Sequence, residues 1–369
     1  MRVLLAPDSF KGSTTAAAAA AALARGWLAE RPADQVTRLP LADGGEGTLD
    51  VLAAAVPGAR WHRAPVTGPG DTPVDCAWLE LPGAAAAVEL ARASGLPLLA
   101  RPDPMRAHTI GLGQVIGRAL DRGAATIVIG LGGSASTDGG TGALAALGAR
   151  FLDAAGAGLP PGGGALAALA AVDTTGLRPP PAGGVTCLAD VTAPLLGPLG
   201  AAAVYAPQKG ALPPQVARLE AGLARLAELL GGDPGAAGAG AAGGTGYGLA
   251  AGWGAVLAPG APELARLAGL DRAVAGADLV VTGEGRFDPT SLTGKATGTV
   301  IAAAATAGVP VALVAGQLSA PPPAVVAVVT LAGLAGGPGP ALADPGHWLE
   351  RAGHALARGP AAGTWPDMA

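Results

Sequence analysis

Short apolar runs alternate with helix-like stretches at both ends of this chain. The apolar runs predict buried strands, at residues 2–6, 36–41, 278–282, 309–315 and 325–331. Amphipathic or alanine-rich stretches between them predict helices, at residues 14–30, 295–307 and 347–357 and after residue 48. Strands that alternate with helices form parallel sheets covered on both faces. The two ends of the chain therefore predict one doubly wound α/β domain.

The middle of the chain follows a different pattern. Short β-like segments separated by Gly and Pro occur at 61–67, 74–79 and 85–90, and further strands are predicted at 126–130 and 185–189. Helices are predicted at 109–122 and 214–230. The simplest architecture is a doubly wound domain of residues 1–58 plus 266–369, interrupted by an inserted α/β domain with a mixed sheet at 59–265.

Composition removes several classes of protein. Half of the 369 residues are hydrophobic and the net charge is only −4, which argues against disorder despite 61 glycines and 34 prolines. The balance of 23 basic and 27 acidic residues argues against a nucleic-acid partner or a charged membrane surface. Two cysteines without metal-type spacing exclude a disulfide scaffold and a zinc ribbon. With no signal-peptide pattern and with its longest apolar stretches interrupted, the chain is expected to be cytoplasmic.

Lysine usage points to specific positions. Only three of the 23 basic residues are lysines, namely Lys11, Lys209 and Lys295, and each is followed or preceded by glycine. A chain that uses arginine almost everywhere retains lysine where a compact ammonium group is needed. We therefore expect Lys11 and Lys295 to contact phosphate groups; ordinary surface lysines are the alternative.

Two loops that follow predicted strands contain charged residues suited to ligand binding. In a doubly wound sheet of order 2-1-3-4-5, the ligand crevice lies where the order reverses, between the strand ending at Ala6 and the strand ending at Thr282. The loops that follow, 7–13 and 282–288, contain carboxylates and cations. This combination at a helix N-terminus suits an anionic ligand with bound Mg²⁺. A turn residue is the alternative for Asp8.

Several acids have glycine neighbours, which let the backbone approach a ligand closely. They are Asp43, Glu46, Asp138 and Glu284. The loop 132–140 follows an apolar strand and is a candidate phosphate cradle of backbone N–H groups. It is not a P-loop, because no Lys-Ser/Thr follows, and it lacks the dinucleotide-binding fingerprint at the first strand–helix turn. No Gly-x-Ser-x-Gly motif supports Ser/His/Asp catalysis.

In their order along the chain, these motifs resemble those of the bacterial two-domain glycerate kinase family. The matching segments span most of the chain, at 7–13, 42–48, 130–140, 190–191, 207–211, 238–246, 282–288 and 294–295. Mild departures occur at 135–137 (Ala-Ser-Thr) and in the Ala-Thr that follows Lys295. The resemblance implies a flavodoxin-like domain with an inserted second domain. It also implies ATP-dependent phosphorylation of D-glycerate with Mg²⁺, generally at the 2-hydroxyl to give 2-phosphoglycerate and ADP.

Roles for individual residues follow from the resemblance together with the motifs. Catalytic roles are predicted for Asp8, Lys11, Asp43, Glu46, Asp190 and Lys295. ATP contacts are predicted for Ser13, Gly132, Gly133, Ser134, Lys209, Gly283, Arg286 and Lys295. Mg²⁺ ligands are predicted at Asp190, Glu284 and Asp288. Strand-end turn acids are the alternative for Asp190 and Glu284.

Two further functions stay open at this stage. One is a kinase for the 3-hydroxyl or for another small 2-hydroxy acid. The other is a non-catalytic nucleotide- or metabolite-binding regulator. The sequence does not indicate an oligomeric state.

Overall fold

The structure is a computed structural model that describes residues 1–322 and 325–359. The strands and α-helices in chain order are β1 (Arg2–Leu5), α1 (Ala16–Glu30), β2 (Gln35–Arg38), α2 (Thr48–Ala55), β3 (Arg60–Thr67), β4 (Pro73–Leu81), β5 (Ala85–Glu89), α3 (Leu90–Ser94), α4 (Ile110–Asp121), β6 (Thr126–Gly130), α5 (Thr141–Ala146), β7 (Arg150–Leu152), β8 (Ala171–Asp173), β9 (Val185–Ala189), α6 (Ala201–Tyr205), α7 (Pro213–Leu230), α8 (Ala241–Trp253), β10 (Val256–Pro259), α9 (Gly260–Ala268), α10 (Leu270–Ala275), β11 (Leu279–Phe287), α11 (Ala296–Ala307), β12 (Val311–Leu318), β13 (Ala327–Thr330), α12 (Leu331–Ala335), α13 (Pro338–Ala343) and α14 (Pro345–Arg358).

The chain forms two compact units. The first comprises Met1–Asp43, Asp50–Val56 and Ala261–Ala369, and the second comprises Gly44–Leu49 and Pro57–Gly260. The domain boundaries expected from the sequence, after residues 58 and 265, stay predictions, and residues 360–369 lie outside the described residues.

The first unit is built on a parallel five-stranded sheet of order β13-β12-β11-β1-β2. Counted within the unit, this order is 2-1-3-4-5, as in flavodoxin-like folds. Successive residues of β1 face opposite sides, because side chains alternate along a strand. Val3 and Leu5 pack with residues of α1 and α14, whereas Leu4 packs with α10 and α11. The predicted doubly wound α/β fold is confirmed.

Strand β11 is longer than the sequence predicted. We expected a strand that ends at Thr282 and a loop from Gly283, but β11 continues to Phe287 and stays paired with β12. Gly283 is needed there for packing, since a Cβ atom would lie 1.9 Å from the carbonyl oxygen of Val314. Glycines that suggest a loop in the sequence thus allow close approach within a sheet.

The second unit contains a mixed six-stranded sheet of order β10-β9-β6-β5-β4-β3. Strands β3, β4 and β5 pair antiparallel, and the remaining neighbours pair parallel. A separate antiparallel pair is formed by β7 and β8. The mixed sheet was predicted. Within the described residues of both units, no helix is long and apolar enough to cross a membrane.

Candidate active site

A pocket of about 250 Å³ lies at the carboxyl ends of β1, β11 and β12 in the first unit. This is the edge of the sheet at which the strand order reverses, the usual position of a ligand in doubly wound folds. The polar part of its lining consists of Asp8, Ser9, Lys11, Ser13, Glu284, Arg286, Asp288, Lys295 and Gln317. The structure therefore brings together the two loops singled out in the sequence.

Asp8 is a buried carboxylate with an unusual proton affinity. Its side chain follows β1, and its backbone N–H donates to the carbonyl of Gly283 over 2.8 Å. Burial, together with the nearby charges of Asp43 and Glu284, raises the pKa of Asp8 to about 7, against the opposing effects of the Ser9 N–H and of Lys11. A carboxylate that titrates near neutral pH can accept a proton from a substrate hydroxyl.

Lys11 and Asp43 form an ion pair beside Asp8. The ammonium nitrogen of Lys11 lies 2.8 Å from Oδ2 of Asp43. The carboxylate is almost buried, whereas 70% of the lysine side chain is exposed. Asp43 thus fixes the end of an otherwise solvent-exposed chain at the mouth of the pocket.

Glu284 lies within β11 and is 6% exposed. Burial raises the pKa of its carboxyl group, whereas a hydrogen bond to Ser291, the nearby ammonium of Lys295 and a hydrogen bond to Thr297 act in the opposite direction. Glu284 is therefore a buried acid of the pocket lining whose pKa is raised by burial and lowered by its neighbours.

Asp288 and Lys295 flank a short 3₁₀-helix, Pro289–Leu292, between β11 and α11. Asp288 caps this turn by accepting from the backbone N–H of Thr290, and its hydrogen bonds to Thr290 lower its pKa. The ammonium of Lys295 lies 3.8 Å from Oδ1 of Asp288, a looser contact than that of Lys11 with Asp43. Lys295 occupies the N-cap position of α11 and lines the pocket.

Ser13 and Arg286 also line this pocket. The Ser13 hydroxyl donates to the carbonyl of Phe10, and Nε of the exposed Arg286 donates to the hydroxyl of Ser319. Gly283 is buried inside the sheet and is absent from the lining of the pocket. Its predicted contact with ATP remains a prediction.

The predicted phosphate cradle of the second unit is packed against another glycine-rich loop. A Cβ atom at Gly132 would lie 2.4 Å from Cα of Gly45, and one at Gly133 would lie 3.3 Å from Oε1 of Glu46. Gly133 has φ +75°, which favours glycine. Both glycines thus have a packing reason within the unit, beside the predicted role in phosphate binding.

Lys209 lies inside the second unit and is only 3% exposed. Its ammonium donates to the hydroxyl of Ser134 and to the carbonyl of Ser136. Burial lowers the pKa of Lys209 to about 8. The lysine therefore holds the 132–137 loop from within, and its predicted contact with ATP remains a prediction.

Glu46 and Asp190 are exposed residues of the second unit. Asp190 directly follows β9, as the sequence predicted for a strand-end acid. The predicted catalytic role of both residues, and the predicted Mg²⁺-binding role of Asp190, stay predictions.

Two carboxylates of the second unit have structural roles. Glu89, at the end of β5, accepts from the backbone N–H groups of Gly47 and Leu49 and thereby fixes the loop that carries Glu46. Burial raises its pKa. Asp138 accepts four hydrogen bonds and is fully buried. The role of Glu89 was missed; an acid that ends an apolar run was the available signal.

Within the described residues, no group of three or more His, Cys, Asp or Glu side chains is arranged to hold a metal ion. Glu284 and Asp288, the two predicted Mg²⁺ ligands of the first unit, both line the pocket. Mg²⁺ commonly uses only one or two protein carboxylates and takes its other ligands from water and substrate phosphates.

Comparisons with known proteins agree with the geometry. The sequence model of the glycerate kinase family matches residues 3–359. A glycerate kinase of Bacillus subtilis is 41% identical over 86% of each chain, and a glycerate 2-kinase of Escherichia coli is 40% identical over 80% of each. A crystal structure from Salmonella typhimurium, described as glycerate kinase 2, has a TM-score of 0.83 and 36% identity over 98% of this chain and 99% of that one. This chain therefore belongs to the glycerate kinase family of phosphotransferases.

Proposed function

We propose that the protein transfers the γ-phosphoryl group of ATP to the 2-hydroxyl of D-glycerate, giving 2-phosphoglycerate and ADP. The observation that carries the proposal is Asp8, a buried carboxylate with a pKa of about 7 in a pocket lined by Lys11 and Lys295. The relative named glycerate 2-kinase supports the choice of hydroxyl. Family membership disfavours a non-catalytic regulator.

In the proposed reaction, ionised Asp8 accepts the proton of the 2-hydroxyl. The freed oxygen forms a bond to the γ-phosphorus while the bond between that phosphorus and the β,γ-bridging oxygen breaks, and ADP takes up the electron pair. An acceptor with a pKa near the working pH is both ionised and basic enough for this transfer. A lower pKa would leave the carboxylate ionised but a weaker base.

The cations of the pocket act on the transferred phosphoryl group. Phosphoryl transfer depends on positioning and on charge stabilisation rather than on covalent catalysis. Lys295, at the N-cap of α11, lies where the helix dipole also favours an anion. Lys11 and Arg286 supply further positive charge along the same lining.

The residues of the pocket also fit Mg²⁺. Glu284 is a buried carboxylate of this lining, and Asp288 lies close enough to raise its pKa. A divalent cation would offset this accumulation of negative charge. Glu284 and Asp288 would hold the ion. The role of Asp190 as a Mg²⁺ ligand stays a separate prediction. When bound, Mg²⁺ supplies charge neutralisation for the phosphates of ATP.

In the second unit, we propose that Gly132, Gly133 and Ser134 contact ATP and that Lys209 positions them. The hydrogen bonds of Lys209 to the 132–137 loop support the positioning role.

We also propose a cytoplasmic location for the protein, because ATP, its proposed substrate, is available there.

A coupled assay of ADP release tests the function. Release should require D-glycerate, and L-glycerate should be a poor substitute. Phosphorus NMR of the product distinguishes 2-phosphoglycerate from the 3-phosphate. Asp8→Asn should lower kcat by about 10²-fold or more, because it removes the proton acceptor. ADP release that is independent of D-glycerate, or a 3-phosphorylated product, would overturn the proposal.

A further inference from the structure

The pocket of the first unit has an apolar end that the proposed phosphoryl transfer does not use. Its wall is formed by Leu331, Pro338, Ala341, Leu342 and Pro345, at α12, α13 and the start of α14. Leu331 and Ala341 are buried, but Leu342 lines the pocket with 63% of its surface exposed. An exposed leucine beside a concave apolar wall is a suitable contact for a flat apolar ligand group.

The order of the strands separates this apolar end from the charged end. Asp8 and Lys11 follow β1, whereas Leu331 follows β13, and β11 and β12 lie between them. Three strand spacings amount to roughly 14 Å. Glycerate has only three carbon atoms and cannot span that width. The pocket therefore has room for a longer ligand with a charged end and an apolar end.

Gln317 lies between the two ends. It is in β12, in register with Arg286 of β11, and it lines the pocket. Its carboxamide makes no side-chain hydrogen bond to another described residue. A carboxamide offers one acceptor and two donors, a set that matches the amino group and ring nitrogen of adenine. Guanine presents two acceptors at the corresponding edge and would be matched only in part.

We propose that this pocket binds the nucleotide, with adenine against Leu331, Ala341 and Leu342 and the phosphates directed toward Lys295 and Lys11. Gln317 reads the edge of the base and gives the enzyme its preference for ATP over GTP. The assignment rests on the proposed kinase function, since it places the phosphoryl donor of that reaction.

Calorimetric binding of ADP in the absence of glycerate tests the assignment. The variants are Leu342→Asp and Gln317→Ala, and the matched control is Leu199→Asp, a leucine that is 71% exposed and lies outside the lining of the pocket. Each pocket variant should weaken ADP binding at least about tenfold. Gln317→Ala should also reduce the ratio of ADP to GDP affinity. Inorganic tripolyphosphate, which lacks the base, should bind all four proteins equally.

Three results would overturn the placement of the base. The first is ADP affinity within twofold of wild type in both pocket variants. The second is a loss of tripolyphosphate binding in the pocket variants as large as their loss of ADP binding, and the third is a loss of ADP binding in Leu199→Asp as large as that in the pocket variants. Thermal unfolding of each variant verifies that it folds, and Gln317→Ala alone decides the question if Leu342→Asp does not fold. Wild-type activity with D-glycerate is measured in parallel. Its absence overturns the kinase proposal, whereas full activity with unchanged ADP affinity overturns only the base subsite.

Discussion

The ammonium nitrogen of Lys11 lies 2.8 Å from Oδ2 of Asp43, and both charges act on Asp8 in opposite directions. Asp43 raises the pKa of Asp8, and Lys11 lowers it. Burial is the largest cause of the raised pKa of Asp8, and the two charges of the ion pair adjust that pKa further.

The first prediction concerns the acidic limb of the pH profile of kcat/KM, which reports the ionisation of Asp8 in the free enzyme. In the wild type this limb should lie near pH 7. Asp43→Asn should move it to lower pH, because it removes a negative neighbour. Lys11→Met should move it to higher pH, because it removes a positive one. A shift of both variants in the same direction would contradict this coupling.

The second prediction concerns stability. The pKa of Asp8 is raised from 3.8 to about 7 in the folded protein, so the folded state binds the proton more tightly than the unfolded chain between these values. The free energy of unfolding should therefore fall as pH rises through this range. Asp8→Asn removes the ionisation and should raise the free energy of unfolding by about 1–3 kcal/mol at pH 8, with little effect below pH 4.

Urea unfolding at both pH values measures this difference. Asp271→Asn, at an exposed acid of α10, is the matched control and should show no comparable dependence on pH. A loss of stability at pH 8 in Asp8→Asn would show that burial does not penalise the ionised carboxylate.

The third prediction concerns Lys295. Lys295→Ala should lower kcat/KM at least about tenfold, equivalent to roughly 1.4 kcal/mol of transition-state binding, and should leave folding intact. Lys295→Arg keeps the charge and should retain more activity than the alanine variant. Steady-state kinetics with thermal melts tests both, and wild-type kinetics in the alanine variant would remove Lys295 from the reaction.

The fourth prediction concerns Mg²⁺. Glu284→Gln and Asp190→Asn should each raise the Mg²⁺ concentration needed for half-maximal rate, because each removes a negative oxygen ligand. Glu228→Gln, at an exposed glutamate of α7, is the control. If a variant keeps full activity with an unchanged Mg²⁺ titration, its carboxylate is not a metal ligand.

Alternation of apolar runs and helices was sufficient to predict the parallel sheet, whereas the order 2-1-3-4-5 was assumed in order to locate the crevice. Strands β1, β12 and β13 are mostly apolar because both faces of the sheet are covered there, and this signal is readable without any contact information. The edge strand β2 is largely exposed. The end of β11 was missed because its Gly-x-Gly pattern also occurs in loops. Only the packing of Gly283 against Val314 distinguishes the two possibilities, and packing is not visible in a single sequence.

The charged half of the pocket could be predicted, and the apolar half could not. Lys11 and Glu284 are conspicuous because each lies beside a glycine, and Asp8 is conspicuous because it shares the short loop after β1 with Lys11. Leucine and alanine are abundant, so Leu331 and Leu342 carry no signal of their own. Their position in the pocket depends on the short helices α12 and α13, which local sequence patterns do not resolve.

The central position of β1 has a consequence for synthesis on the ribosome. Its partner β11 lies 276 residues further along the chain, since Val3 pairs with Leu279. At 5–20 residues per second, roughly 15 to 55 seconds pass between the emergence of the two strands. During that interval the apolar N-terminal strand has only β2 beside it, while the whole of the second unit is completed and can fold. The nascent chain therefore exposes an unpaired edge of β1 throughout this interval. We expect a chaperone to bind at this edge.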